Sequence, residues 1–477
     1  MIRSVFFDNK RITLTKNIKS SENIFTIIIG KNGTGKSRLL QLLCEKLLSN
    51  SKSNIKLTKT PSKIISISTT PFDKFPSETS AFRGYYYQGI KGIQNQEISK
   101  GYVSKFIGNF LLGVISKKTN DLSKALNYLG YEDEINISFR YIGGSKIENI
   151  FNKEIDAFSE EHIIAKYELD DSLYTRLTSF LFMNKSPYKS NLEIRHNESS
   201  EINKIIKINS FKKYLSKRYS DGETQINLSI INNDSKIKTL IDSIEDSSWI
   251  HKTRILKLKI KGNKLFFNKD IKLSTALINI IDSGLLKLDT ISLKKAKSNE
   301  ELEIEKASSG EQSVIMNILG ISSVIKDNSL ILIDEPEVCL HPEWQERYIQ
   351  LLIDIFKNFK NCHFIITTHS PQIISNLSGK NCFITSIEDG FCRNAEEYIN
   401  KSSDYQLATL FDTPGFKNEY LTRISLNLLA KIMSNKSIDT DDKSTIIFLK
   451  SIKEKLAKND PVLKLILSLE EMVNYYA

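Results

Sequence analysis

The hydrophobic pattern changes character several times along the chain, and each change marks an element. From Ile24 to Ile29 nearly every position is apolar, the pattern of a strand buried on both faces. A glycine-rich run, Gly30 to Ser37, interrupts it, and Leu39, Leu40, Leu43, Leu47 and Leu48 then recur at helical spacing. The order is strand, loop, helix. Three more apolar runs, Ile64 to Ile67, Leu330 to Ile333 and Phe364 to Ile366, predict companion strands. Val5-Phe6-Phe7 and the alternating stretch Arg11 to Leu14 predict a strand pair ahead of the loop, and Tyr85 to Gln88 an edge strand. In the middle of the chain, Tyr102 to Ile115 and Thr275 to Leu286 have helical spacing, whereas Leu256 to Lys261 alternates strictly. Gly262-Asn263 turns that stretch into Leu265-Phe266-Phe267, giving a hairpin with one face of lysine. That face either tracks a phosphate backbone or is a solvated face on which lysine guards against edge pairing. Residues 288–293 and 301–305 alternate as strands. The end of the chain reads as three helices: Asn418 to Met433, Lys443 to Ala457, and one entered through Asp460-Pro461 that runs to Tyr476. Their apolar faces must pack on the core, a second copy or another protein.

These elements define an α/β chain in four segments: 1–95, 96–285 of mixed helix and strand, 286–395, and a helical 396–477. A length of 477 residues suits two to four domains, or one domain with large insertions. No apolar run approaches the roughly 20 residues of a membrane span, and the first residues lack a signal-peptide core, so a cytoplasmic protein with no membrane partner is expected. Cys44, Cys339, Cys362, Cys382 and Cys392 are odd in number and form no C-x-x-C pair, which supports neither a disulfide framework nor zinc. The net charge of +11 and pI near 9.0 fit a nucleic-acid partner. A general lysine, asparagine and isoleucine bias explains the charge as well. Lys212-Lys213-Tyr214 to Lys217-Arg218-Tyr219 mixes cations with aromatics, as a base-stacking surface or an exposed helix face would.

Chemistry concentrates at the strand ends. Gly30-Lys31-Asn32-Gly33-Thr34-Gly35-Lys36-Ser37 matches G-x-x-x-x-G-K-S/T throughout. Such a loop curls backbone N–H groups around a polyphosphate, with Lys36 reaching the outer phosphates, Ser37 offering its hydroxyl to Mg²⁺, and the helix that continues through Arg38 aiming its positive end at the anion. Asp334-Glu335 closes a hydrophobic strand, where two carboxylates are costly without a cation. With this strand beside the first, Asp334 holds Mg²⁺ and Glu335 polarises the attacking water. Ser309 reads as the N-cap of a helix opened by Ala307 to Gln312. His369, after the last strand, follows in order.

Taken together, Gly30 to Ser37, Ser308 to Gln312, Leu330 to Glu335 and Thr368-His369 resemble the Walker A, signature, Walker B and switch-histidine set of ABC-type ATPases, in the split arrangement of the SMC, RecF and OLD clan. The resemblance covers 1–95 and 286–395. Asp334 to Gln345, Thr367 to Gln372, Ser68 to Phe75 and Leu407 to Tyr420 look like the ATPases of anti-phage systems, PtuA of Septu and Septu-like retrons. It implies an ABC-type P-loop ATPase head, a mixed sheet with flanking helices, carrying a long mixed α/β insertion and a helical C-terminal region. ATP and Mg²⁺ are the implied cofactors. Gly30 to Arg38 would bind nucleotide, Ser37 and Asp334 the metal, and Lys36, Glu335 and His369 would be catalytic. Heads of this kind pair head to tail, so Ser309, Gly310, Glu311 and Gln312 would complete the site of a second copy. A separate HNH nuclease, PtuB, is the implied partner, with DNA or retron nucleic acid. Leu407, Leu410, Phe411 and Phe416 are the expected docking face, or else pack on the chain's own core. Two features depart from the pattern: Glu311 replaces a glycine, and no glutamine ends the strand at Thr69-Thr70, which leaves Gln88 or Asp73 for that role. The competing functions are a RecF-like or SMC-like DNA-repair ATPase and an OLD-type ATPase with its own nuclease. The latter needs an acidic cluster, and only Asp439, Asp441 and Asp442, in a polar loop, offer one.

Overall fold

The computed structural model describes residues 1–16, 21–49, 54–70, 72–76, 84–89, 107, 111, 122–142, 207–217, 233–247, 255–262, 264–268, 274–375, 377, 379, 381–434 and 438–476. The helix expected over Tyr102 to Ile115 falls outside them save at Ile107 and Leu111, and Pro71, Arg218, Tyr219 and Asn263 also lie outside. The strands are β1 (Ile2–Phe7), β2 (Lys10–Thr13), β3 (Ile24–Ile29), β4 (Ile55–Leu57), β5 (Lys63–Ser68), β6 (Tyr85–Gln88), β7 (Tyr131–Tyr141), β8 (Ile255–Lys261), β9 (Lys264–Phe267), β10 (Leu286–Lys295), β11 (Glu301–Glu303), β12 (Ser329–Asp334), β13 (His363–Thr367), β14 (Cys382–Ser386) and β15 (Cys392–Asn394).

Two units emerge. The first comprises 1–92, 120–130 and 307–477. Its central sheet has the order β15-β14-β3-β13-β12-β5-β6, parallel apart from the β14–β15 pair. Tyr85–Gln88 is indeed the edge. Alternate residues of each inner strand feed opposite cores, as the period of two requires. Ile28, Leu330, Leu332 and Ile365 pack with Leu39, Leu40 and Leu43 of the helix Lys36–Leu48 and with β1 and β2. Ile27, Ile29, Ile331, Ile333 and Ile366 pack with the helices Ser309–Val324 and Pro342–Phe356. The second of these helices is capped by His341, with Pro342 in its first turn.

The C-terminal helices Glu419–Met433, Thr440–Ile452 and Pro461–Tyr476 close around a core of their own, including Leu421, Leu428, Leu449, Ile466 and Leu469. Of the expected docking face, Leu410 and Phe411 are instead buried in the core of the central sheet, with Leu407 packed against it; Phe416 is exposed. Asp439 and Asp442 do not lie in a loop. They form a capping box at the start of the helix Thr440–Ile452, where Lys431 pairs with both.

The second unit comprises 93–119 and 131–306. Its antiparallel sheet runs β11-β10-β7-β8-β9. The strand at 286–295, expected to open the second half of the ATPase head, belongs here: Ile291 pairs with Ile137 and Leu293 with Ile135. This unit runs on to Lys306, because a ten-residue strand with an apolar face is buried by its ladder partner wherever its sequence neighbours go.

Candidate functional site

The ends of β3, β12 and β13 lie side by side because Asp334 is level with Thr367, and Thr367 with Ile28. The loop Gly30 to Gly35 leaves β3 at this level and turns into the helix Lys36–Leu48. Gly33 (φ 81°) and Gly35 (φ 95°) are left-handed, and at Gly30 a Cβ would come within 2.4 Å of Ile387. These three glycines are demanded by backbone conformation and close packing.

Ser37 Oγ donates to Asp334 Oδ1 (3.1 Å), and Thr367 Oγ1 donates to the same oxygen (2.6 Å). Asp334 is buried, and burial pushes its carboxyl up against the pull of these two hydroxyls. A hydroxyl and a carboxylate oxygen are hard donors of the kind Mg²⁺ takes, completing its shell with water and substrate phosphates. Ser37 and Asp334 therefore fit the metal.

Lys36 is buried, and burial pulls its ammonium down while Glu335, Glu388, Glu337 and Asp334 hold it up. Its Nζ donates to the carbonyls of Gly30 (2.8 Å) and Lys31 (3.1 Å) and lies 3.1 Å from His369 Nδ1. An ammonium has only donors, so Nδ1 accepts and the imidazole proton sits on Nε2, 3.0 Å from Glu335 Oε1. Lysine, histidine and glutamate form one chain. The bond from His369 holds the Glu335 carboxyl below its usual range. Glu335 itself is left-handed (φ 47°), a conformation a non-glycine residue adopts only under constraint, and its N–H donates to Thr367 Oγ1.

Two carboxylates missed in the sequence support this arrangement. Glu337 Oε1 accepts from Thr368 Oγ1 (2.7 Å) and from the His369 N–H (2.5 Å), while its other oxygen is buried without a hydrogen-bond partner among the described residues. Burial pushes this carboxyl up. Glu388 accepts from the Lys31 N–H (2.7 Å) and from Ser386 Oγ, bracing the entry to the loop. Glu337 carried a signal in its acidic Asp-Glu-Pro-Glu context; Glu388, on the β14–β15 connection, carried none.

Other expected residues serve differently or stand elsewhere. Arg38 turns its guanidinium to Asp8 and over the Phe7 ring, Asn32 is exposed, and Thr34 Oγ1 donates to the Lys31 carbonyl. Ser308, not Ser309, is the N-cap of the helix Ser309–Val324. Its reciprocal bonds with Glu311 make a capping box, which the Ser-x-x-Glu spacing selects. Gln312 Nε2 donates to Ala307 O, Ser309 is exposed and Gly310 buried. Gln88 is level with Ile67, one position out of phase with Asp334, and its amide packs against Gly320 on the opposite face of the sheet. Asp73 is near enough for its charge to act on Asp334, but its oxygens accept from the Phe75 N–H and the Tyr87 hydroxyl.

The family described as AAA ATPase domain matches residues 3–374. A retron Ec83 probable ATPase from Escherichia coli is 23% identical over 388 residues, covering 75% of this chain and 66% of that protein. Septu protein PtuA from Bacillus thuringiensis is 28% identical over 155 residues, 29% of this chain and 37% of PtuA. Endonuclease GajA from Bacillus cereus is 22% identical over 482 residues, 90% of this chain and 63% of GajA. The chain thus spans less than two thirds of the length of each.

Proposed function

The chain belongs to the AAA ATPase domain family and is an ATPase by that membership; on this premise we propose that it binds MgATP at Gly30 to Ser37 and hydrolyses it as part of an anti-phage defence system. The observation that carries the reading is the chain of bonds from Lys36 through His369 to Glu335, beside the Ser37–Asp334 pair. Lys36 and the loop N–H groups bind the phosphates, Ser37 and Asp334 would hold Mg²⁺, and Glu335, kept ionised and oriented by His369, polarises the attacking water. When bound there, Mg²⁺ would supply neutralisation of phosphate charge.

Similarity to retron and Septu proteins supports the defence role. In the proposed assembly two copies pair head to tail, Ser309 to Gln312 of one completing the site of the other. The dimer regulates a separate HNH nuclease and engages DNA or retron nucleic acid. Similarity to GajA favours a second reading, an ATPase that carries its own endonuclease. Purified alone and together with the products of its neighbouring genes, the protein should hydrolyse ATP in both samples and cleave DNA with Mg²⁺ or Mn²⁺ only in the second. Glu335→Gln should retain MgATP and turn over about 10²–10⁴-fold more slowly. Cleavage by the lone chain that survives further purification favours the second reading, and unchanged turnover of Glu335→Gln removes Glu335 from the chemistry.

A further inference from the structure

The second unit carries a cationic face of its own. In β8 the residues alternate between exposed and buried: Lys257, Lys259 and Lys261 lie on one side, Leu256, Leu258 and Ile260 on the other. The apolar side meets Ile135, Ile137 and Phe139 of β7 through the ladder. On the polar side Phe266, directly opposite Lys259, is 49% exposed, and Lys264 lies opposite Lys261. This side forms an open depression of about 560 Å³ with Lys257, Lys259, Phe266 and Asn268 at one end and Glu301 and Glu303 at the other.

The charges are not evenly matched. Lys259 pairs with Glu134, Arg140 with Asp289, and Glu301 accepts from Ser292 and Asn136. Lys257, Lys261 and Lys264 make no ion pair within 4 Å among the described residues, although Glu134, paired with Lys259, is directly opposite Lys261 and feels its charge. Lysine on an exposed edge strand is ordinarily a guard against pairing with another chain. That account covers Lys264 on the edge strand β9 but not Lys257 and Lys261, because β8 is enclosed between β7 and β9.

We propose that this face, built on Lys257, Lys261, Lys264 and Phe266, binds single-stranded nucleic acid. Lys257 and Lys261 lie four residues apart along a strand, roughly 13 Å, so the cations follow an extended backbone over a few nucleotides. A solvent-facing aromatic ring among them offers the stacking platform that unpaired bases use and a duplex does not present bases to. Glu301 and Glu303 repel phosphate at the far end and confine the strand to the β8–β9 side. The inference locates the nucleic-acid partner proposed above and rests on that part of the reading alone.

The test is fluorescence anisotropy of the full chain with a labelled oligo-dT of about 20 nucleotides, titrated between about 50 and 200 mM salt. The combined Lys257→Gln, Lys261→Gln and Lys264→Gln variant should bind more weakly and lower the slope of log affinity against log salt by about 2, at about 0.7 per phosphate contact. Phe266→Ala, on an exposed strand position, should lose about 5–100-fold in affinity with the slope unchanged. Both variants should keep wild-type ATPase activity without DNA. Lys36→Ala should still bind the oligonucleotide, which separates this site from the nucleotide site. The proposal is overturned if wild-type protein does not bind, if the lysine variant keeps the wild-type slope, or if a duplex of equal length competes equally while Phe266→Ala has no effect.

Discussion

His369 Nε2 stands 3.0 Å from Glu335 Oε1, so a residue just beyond the end of β13 fixes the carboxylate just beyond the end of β12. The same imidazole accepts from Lys36, which sets its tautomer. His369→Ala should lower kcat by about 10–100-fold with a smaller change in KM. The bond keeps the Glu335 carboxyl low; without it the carboxyl titrates at higher pH, so the acid limb of the pH–rate profile should move upward. An unmoved acid limb would separate Glu335 from that ionisation.

Lys36→Ala should abolish nucleotide binding and leave the fold intact. The Lys36 ammonium bonds to loop carbonyls and His369 rather than joining an apolar core. Fluorescent-nucleotide titration together with circular dichroism reads both halves. Wild-type affinity in this variant would remove Gly30 to Ser37 from the site.

Glu337 holds Thr368 and the His369 backbone through one oxygen. Glu337→Ala strands two donors and should cost about 1–3 kcal/mol of stability together with much of kcat. Glu337→Gln keeps a carbonyl acceptor and should restore most of both, in urea titration and in steady-state phosphate release. Equal loss in the two variants would assign the effect to charge instead of position.

His363 reports on acid stability. Its Nδ1 accepts the Ile2 N–H (3.3 Å), and its Nε2 lies 2.9 Å from Thr26 Oγ1, which donates to Leu14 O (2.8 Å). Only the neutral ring satisfies both contacts, and full burial lowers its pKa to about 3. The unfolded chain takes up this proton near pH 6.5, the folded one near 3. Stability is therefore complete above 6.5 and falls as pH drops through that window, by about 5 kcal/mol once both states are protonated. His363→Gln should be less stable at pH 7 but show a flatter dependence between pH 6.5 and 4. The same slope in both proteins would assign the acid loss to other groups.

Ser309→Arg places a bulky cation where a second copy would meet the phosphates. It should abolish ATP-dependent dimerisation in analytical ultracentrifugation and reduce turnover at least tenfold, while each chain still binds nucleotide. Full activity would rule out a composite site.

The local order of strand, loop and helix was legible from Ile24 to Leu48, because an apolar run, a glycine pattern and a leucine stripe each state their backbone preference without reference to distant residues. The same holds for β12, β13 and the lysine alternation of β8. Register across strands was not legible, since it depends on which faces are buried together. Only the tertiary structure placed Asp334 level with Thr367, and Gln88 out of phase with both. It likewise paired the strand at 286–295 with β7, and brought Glu337 and Glu388 to the site through the backbone N–H groups of His369 and Lys31. Periodicity encodes what each segment buries; the fold alone decides against what, because burial is settled by partners far away in the chain.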